Sequence, residues 1–181
     1  MENRIFCETP RFILREVVIQ DKEGLFILDT DPEVHRFLGN QPVISMLQIE
    51  KMIESLQMQY RIHGIGRWAI IEKSSGEFVG WSGLKLVKDT INSRSHFFDL
   101  GYRIIRSHWG KGIAYETSLA ALRYGFETLK LNNIYASAQE ENHASLAILS
   151  KLGFKKQNRY YDFNAWQIWH EMHDSSFNFD S

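Results

Sequence analysis

Apolar positions recur along this chain with two different periods, and the change between them divides it. Residues 11–18 follow Pro10 with apolar and β-branched side chains and predict a strand. Asp21 then caps a short helix carrying Leu25, Phe26 and Leu28, and Asp31-Pro32 opens another that ends near Gly39. Ser45-Met46-Leu47-Gln48 has capping-box form, in which the serine and glutamine side chains satisfy amides of the first turn. The helix it starts carries Ile49, Met52, Ile53 and Leu56 on one face and ends near His63-Gly64.

Beyond Gly64 strands dominate. Residues 67–72 and 78–87 read as a hairpin around Lys73-Ser74-Ser75-Gly76, and 88–95 as a polar loop. Residues 96–105 form a third strand of this run, which enters a glycine-bearing turn at 109–112 and then a long helix over 113–129. A short strand at 134–138, a helix at 143–152 closed by Gly153, and strands at 155–163 and 166–172 complete the pattern, with 174–181 as a frayed tail. Early helices, an antiparallel run and then β-α-β-α-β predict a mixed α/β sheet with helices on its faces.

The chemistry concentrates at Trp109-Gly110-Lys111-Gly112-Ile113-Ala114. A strand leading through glycines into a helix N-terminus turns successive amides outward and adds the positive end of the helix dipole. Such a nest binds phosphate without cationic side chains. The spacing excludes a Walker-type GxxxxGK[ST] loop, and the dinucleotide fingerprint lacks its third glycine.

These residues resemble motif A of the GNAT superfamily of N-acetyltransferases, Gln/Arg-x-x-Gly-x-Gly/Ala, with Trp109 departing from the usual first residue. The Trp-Gly-Lys-Gly form followed by Ala114 and Glu116 resembles the RimJ/RimL-like branch. Asp99-Leu100-Gly101-Tyr102 before the turn, and Asn142, Ser145 and Lys151-Leu152-Gly153-Phe154 after it, extend the likeness over residues 9–172. The resemblance implies one domain over 1–181 with its core at about 9–173, and a largely antiparallel central sheet flanked by helices. It also implies transfer of acetyl from acetyl-CoA, as cosubstrate, directly to a primary amine of a protein N-terminus or a small molecule.

By the same resemblance, the backbone of Ile104, Ile105 and Arg106 would pair with the pantetheine arm. Amides from Trp109 through Gly110, Lys111, Gly112 and Ile113 to Ala114 would hold the pyrophosphate, and Asn142 would help seat the donor. Asn142 also suits capping of the helix at His143 on its own account.

Amine acetylation needs a base for the ammonium, a stabilised oxyanion and a proton for the leaving thiolate. Asp99 is the candidate base, where the resembled branch often has glutamate in Glu-Ile-Gly-Tyr. Strand alternation puts Phe97, Asp99, Gly101 and Arg103 on one face, so the competing reading is an ion pair with Arg103 that depresses the Asp99 pKa. Ser145 is the candidate acid, with Tyr160 or Tyr161 in reserve, because the later tyrosine register of other members falls on Leu149. Glu116 reads as a structural acid near a helix N-terminus. The Asp-for-Glu change and the missing tyrosine leave open a catalytically inactive acyl-CoA-binding module on the same fold.

Bulk properties narrow the partners. The net charge of −1 over 181 residues, with no basic block, argues against nucleic acid. No apolar run approaches a membrane span, and no secretion signal is evident over residues 1–8. The lone Cys7 forbids an internal disulfide. His170 and His173 lack a third ligand, so no metal is expected. A cytoplasmic monomer or homodimer is expected.

Overall fold

Eight strands join in one sheet in the computed structural model, which describes residues 3–179. β1 (Ile5–Glu8), β2 (Phe12–Glu16), β3 (Trp68–Glu72), β4 (Phe78–Val87), β5 (Phe97–Ile104), β6 (Asn133–Gln139), β7 (Lys155–Asp162) and β8 (Ala165–His173) stand in spatial order β1-β2-β3-β4-β5-β6-β8-β7. Every neighbouring pair is antiparallel except β5 with β6. That parallel pair needs a crossover, and a helix supplies it. The helices are α1 (Lys22–Thr30), α2 (Pro32–His35), α3 (Met46–His63), α4 (Ile113–Arg123) and α5 (His143–Leu152). This is the mixed, largely antiparallel α/β sheet expected from the sequence.

Register sorts the side chains onto two faces. Trp81 opposes Arg103, Gly83 opposes Gly101 and Lys85 opposes Asp99, so these share one face, which α1 covers at its β4 end. The other face carries Leu84, Leu100 and Tyr102 and meets α4. Leu84, Leu122 and Ile134 are fully buried there, each stabilising the fold by roughly 1.5–3 kcal/mol through removal of apolar surface from water.

Three expectations change. Residues 5–8, read as part of a lead before the core, form edge strand β1, whose Phe6 stacks on Trp68 with ring centroids 4.7 Å apart. The helix read as 113–129 is α-helical only to Arg123 and continues as a π turn over Tyr124–Thr128. Gly125 in that turn lies so close to the sheet that a Cβ there would come within 2.7 Å of Leu84 and Ile134. The tail read as frayed forms a 3-10 turn at Asp174–Ser176 and buries Phe177 against Phe126; its last two residues lie outside the described range.

Candidate active site

β5 and β6 meet in register only at Asp99 and Tyr135 and then diverge, leaving a wedge-shaped gap. A cleft of about 600 Å³ occupies the α4/α5 side of this gap. Its walls are Tyr102 to Ile104 of β5, the turn before α4, the start of α5, and residues 33, 34 and 36–38 in and just after α2. Ile104, Trp109, Gly110, Gly112, Ile113, Ala114, Asn142 and Ser145 therefore come together, although 41 positions separate the first from the last of them. Ile105, Arg106 and Lys111 do not line the cleft.

Hydrogen bonding explains that division. The Ile105 N–H donates to Val79 O at 3.0 Å, so it faces β4 rather than the gap. Alternation then turns the Tyr102 and Ile104 N–H groups toward the open edge. The Ile104 carbonyl already accepts from the Trp109 indole at 2.8 Å. Arg106 belongs to a 3-10 turn, Arg106–His108, and its guanidinium lies 3.7 Å from Asp31. Of the stretch from Ile104 to Arg106, only Ile104 therefore turns its N–H to the open edge, where Tyr102 joins it.

The turn itself has the geometry of a phosphate nest. Gly110 and Gly112 both adopt φ of +76°, a left-handed conformation that glycine takes without a Cβ penalty. A Cβ at Gly110 would meet nothing within 4 Å. The Trp109 N–H is spent on Arg106 O, whereas no protein acceptor among the described residues takes the amides of Gly110 through Ala114. Uncommitted amides at the start of α4, facing an open cleft, fit the pyrophosphate of acetyl-CoA.

At the start of α5, the Asn142 side chain accepts from the Ser145 N–H at 3.1 Å, the cap expected of it. Ser145 is half-buried in the cleft wall, and its carbonyl accepts from the Tyr102 hydroxyl at 3.3 Å. Leu149 is buried in the core.

Asp99 stands at the apex of the wedge, on the face opposite the cleft. Its partner is Arg67 rather than Arg103: the Arg67 guanidinium donates to the Asp99 carboxylate and, at 2.6 Å, to its main-chain oxygen. Arg103 turns instead to Asp29, the fully buried penultimate residue of α1, which also receives His35 at 3.3 Å. Adding α1 and α2 over this face gives Arg103 a nearer carboxylate, which the single-strand argument did not contain. Burial pushes the Asp99 carboxyl above its ordinary range, and Arg67 and then Lys85 pull it back only in part. The depressed value expected from an Arg103 pair is therefore also corrected.

A family model described as Acetyltransferase (GNAT) domain matches residues 11–155. The chain belongs to the GNAT acetyltransferase family. An N-acetyltransferase of Bacillus licheniformis, called uncharacterized p20, is 32% identical over 86% of this chain and 85% of its own. Among solved structures, spermidine N-acetyltransferase from Vibrio cholerae, in complex with CoA and spermine, superposes with TM-score 0.74 at 18% identity, over 93% of this chain and 98% of that one. RimL, a ribosomal L7/L12 α-N-protein acetyltransferase, gives 0.78 at 15% identity, over 96% of each chain. The enzyme is accordingly an acetyl-CoA-dependent acetyltransferase.

The acetyltransferase also places at its site residues to which the sequence alone assigned no role. Arg67 carried no motif, and only the sheet brings it to Asp99. Tyr102 lines the cleft, and burial pushes its hydroxyl up to about 12, so it stays protonated. Lys151 puts an ammonium at the cleft wall, 4.2 Å from the Tyr115 ring centroid. The reserve tyrosines lie elsewhere: Tyr160 packs on Trp169 on the Asp99 face, and Tyr161 is exposed near the β7–β8 turn. Among the described residues no group of His, Cys, Asp and Glu is arranged to hold a metal, and no helix is long and apolar enough to cross a membrane. Burial raises the Cys7 thiol to about 12, which leaves it unreactive.

Proposed function

We propose that this acetyltransferase moves the acetyl group directly from acetyl-CoA to a primary amine, with the donor in the cleft and the acceptor on the Asp99 face. The observation that carries this reading is the wedge between β5 and β6. It lets a thioester entering from the cleft reach the opposite face where Asp99 stands.

The amides of Gly110 through Ala114 hold the pyrophosphate, and the open-edge N–H groups of Tyr102 and Ile104 receive the pantetheine arm. Asp99 takes the proton of the acceptor ammonium, directly or through water. The free amine attacks the thioester carbonyl, and the negative charge that gathers on its oxygen meets an open-edge N–H of β5. The C–S bond breaks as the amide forms; the Ser145 hydroxyl gives its proton to the departing thiolate and is restored by the second proton, which the attacking nitrogen sheds as it becomes an amide.

The whole chain acts as one acetyltransferase domain in the cytoplasm. Small polyamines and protein N-termini are the two acceptor classes supported by likeness, through the spermidine enzyme and RimL respectively. RimJ/RimL-like kinship rests on the Trp109-Gly110-Lys111-Gly112 form of the turn.

Turnover of acetyl-CoA against amines of both classes, read as released thiol, tests this reading. With a verified acceptor, Asp99→Asn lowers turnover by roughly 10²–10⁴, the usual range for a general acid or base. The loss shrinks at alkaline pH as free amine becomes plentiful. Undiminished turnover at neutral pH removes Asp99 from the mechanism, and absence of turnover with every amine favours the binding-module reading.

A further inference from the structure

The Arg67 guanidinium is unusually committed for a residue just outside a strand. Its side chain is 13% exposed, and it donates to Gly83 O at 2.5 Å, to Asp99 O at 2.6 Å and to the Asp99 carboxylate. The group lies against the ring of Trp81, 5.5 Å from its centroid. The path from β3 across β4 to β5 exists only because the sheet is bare at one point. A Cβ at Gly101 would come within 2.6 Å of the Arg67 Nη2 and 2.8 Å of its Cζ. Gly101 has no left-handed φ to require glycine, so the guanidinium is the neighbour that excludes a side chain there.

A purely structural pair at this place is costly, because two charges leave water and the gain seldom exceeds that penalty. Here one partner stands at the apex where the two strands part. We propose that Arg67 is a positioning residue for the reaction: held across the bare Gly101, it fixes the direction of the Asp99 carboxylate at the apex and favours its charged form. The proposal rests on Asp99 as the base. The other charged and titratable groups on this face beside Asp99 are Lys85 from β4, Tyr135, its register partner on β6, and Tyr160 from β7. Arg103, on the same strand, is taken by Asp29. Arg67 is therefore the cation that opposes the burial of Asp99 most strongly.

The sign follows from charge. Removing a positive neighbour disfavours the carboxylate, so the Asp99 pKa rises and the acid limb of kcat/KM moves to higher pH. With one acceptor amine used throughout, Arg67→Met should move that limb up by about one pH unit or more. Arg67→Lys keeps the charge but loses the planar fork, so it should leave the limb nearly in place while lowering kcat. Gly101→Ala should resemble Arg67→Met in direction, because its Cβ displaces the guanidinium without touching either charge. Thermal melts and acetyl-CoA affinity confirm folding, and Gly101→Ala and Arg67→Lys carry the test if Arg67→Met does not fold.

An acid limb unmoved in both Arg67→Met and Gly101→Ala, or in whichever of them folds, overturns the proposal while Asp99→Asn remains inactive. Full activity of Asp99→Asn overturns the base assignment and this inference with it. The two failures are distinguished by that single variant.

Discussion

Arg11 and Glu116, 105 positions apart, tie the start of β2 to the first turn of α4 directly behind the glycine-bearing turn. The guanidinium pairs with the Glu116 carboxylate at 2.6 Å and donates to the Lys111 carbonyl at 3.1 Å. Its Nη2 lies 3.7 Å from where a Gly112 Cβ would be. Burial would raise the Glu116 carboxyl, but hydrogen bonds from Thr9 and Arg11 outweigh it and hold the group below its ordinary value. Glu116 therefore does more than complement a helix dipole: it anchors a cation at the back of the nest.

Arg11→Met removes both that charge and the brace. Since Arg11 is almost half exposed, its pairing is screened, and the loss of acetyl-CoA affinity should be modest, roughly two- to fivefold. The deficit should narrow as salt rises, because the lost term is largely electrostatic. Calorimetric titration at two ionic strengths checks this, and a deficit independent of salt assigns the effect to the brace alone.

Gly112 offers a sharper test of the nest. Asparagine tolerates the left-handed φ of +76°, so Gly112→Asn preserves the backbone while adding a side chain where phosphate oxygens approach. Acetyl-CoA affinity should fall on the order of tenfold or more, with little change in melting temperature. Binding equal to that of the parent protein would mean that the pyrophosphate lies elsewhere.

A pH dependence of stability follows from His35. Burial, then the nearby Arg103, lowers its pKa, and Asp29 opposes them only in part. Above the unfolded value of about 6.5 both states are neutral and His35 contributes no slope. As pH falls below that value the unfolded chain binds the proton first, so stability drops until the folded pKa is passed. Melting temperatures between pH 7.5 and 5, chosen at roughly one unit either side of that value, should fall further for the parent than for His35→Gln. Parallel curves would show that His35 is protonated as easily folded as unfolded.

The strands and the turn were legible because their signals are local. The capping box at Ser45, the left-handed helix end at Gly64 and the glycines before α4 each need only a few neighbouring residues. The side-chain partnerships were not legible, since Arg67 meets Asp99 and Arg103 meets Asp29 only after three strands and a helix are laid side by side. The β7–β8 turn shows a different failure. Phe163 and Asn164 occupy its two central positions at φ of +48° and +58°, a type I′ geometry that favours Asn-Gly. Phenylalanine there reads as strand, so the strand was carried one residue too far.

The source of the thiolate's proton is the last point the cleft allows to be divided. Three hydroxyl-bearing residues line it, Tyr102, Tyr115 and Ser145, and the Tyr102 hydroxyl donates to the Ser145 carbonyl, so neither of that pair can be altered in ignorance of the other. If Ser145 protonates the leaving group, Ser145→Ala slows turnover by roughly tenfold or more with acetyl-CoA affinity unchanged, less than a general base costs because a thiolate leaves tolerably well unassisted. That loss should persist at alkaline pH, unlike the loss in Asp99→Asn, because a serine hydroxyl does not titrate in the accessible range. Tyr102→Phe removes one hydrogen bond at the start of α5 and should alter turnover by only about threefold, equivalent to under 1 kcal/mol. The opposite ranking, with Tyr102→Phe slow and Ser145→Ala near the parent rate, assigns the proton to Tyr102. A tyrosine held up near 12 by burial would then deliver it, and its own variant would keep the large deficit across neutral pH.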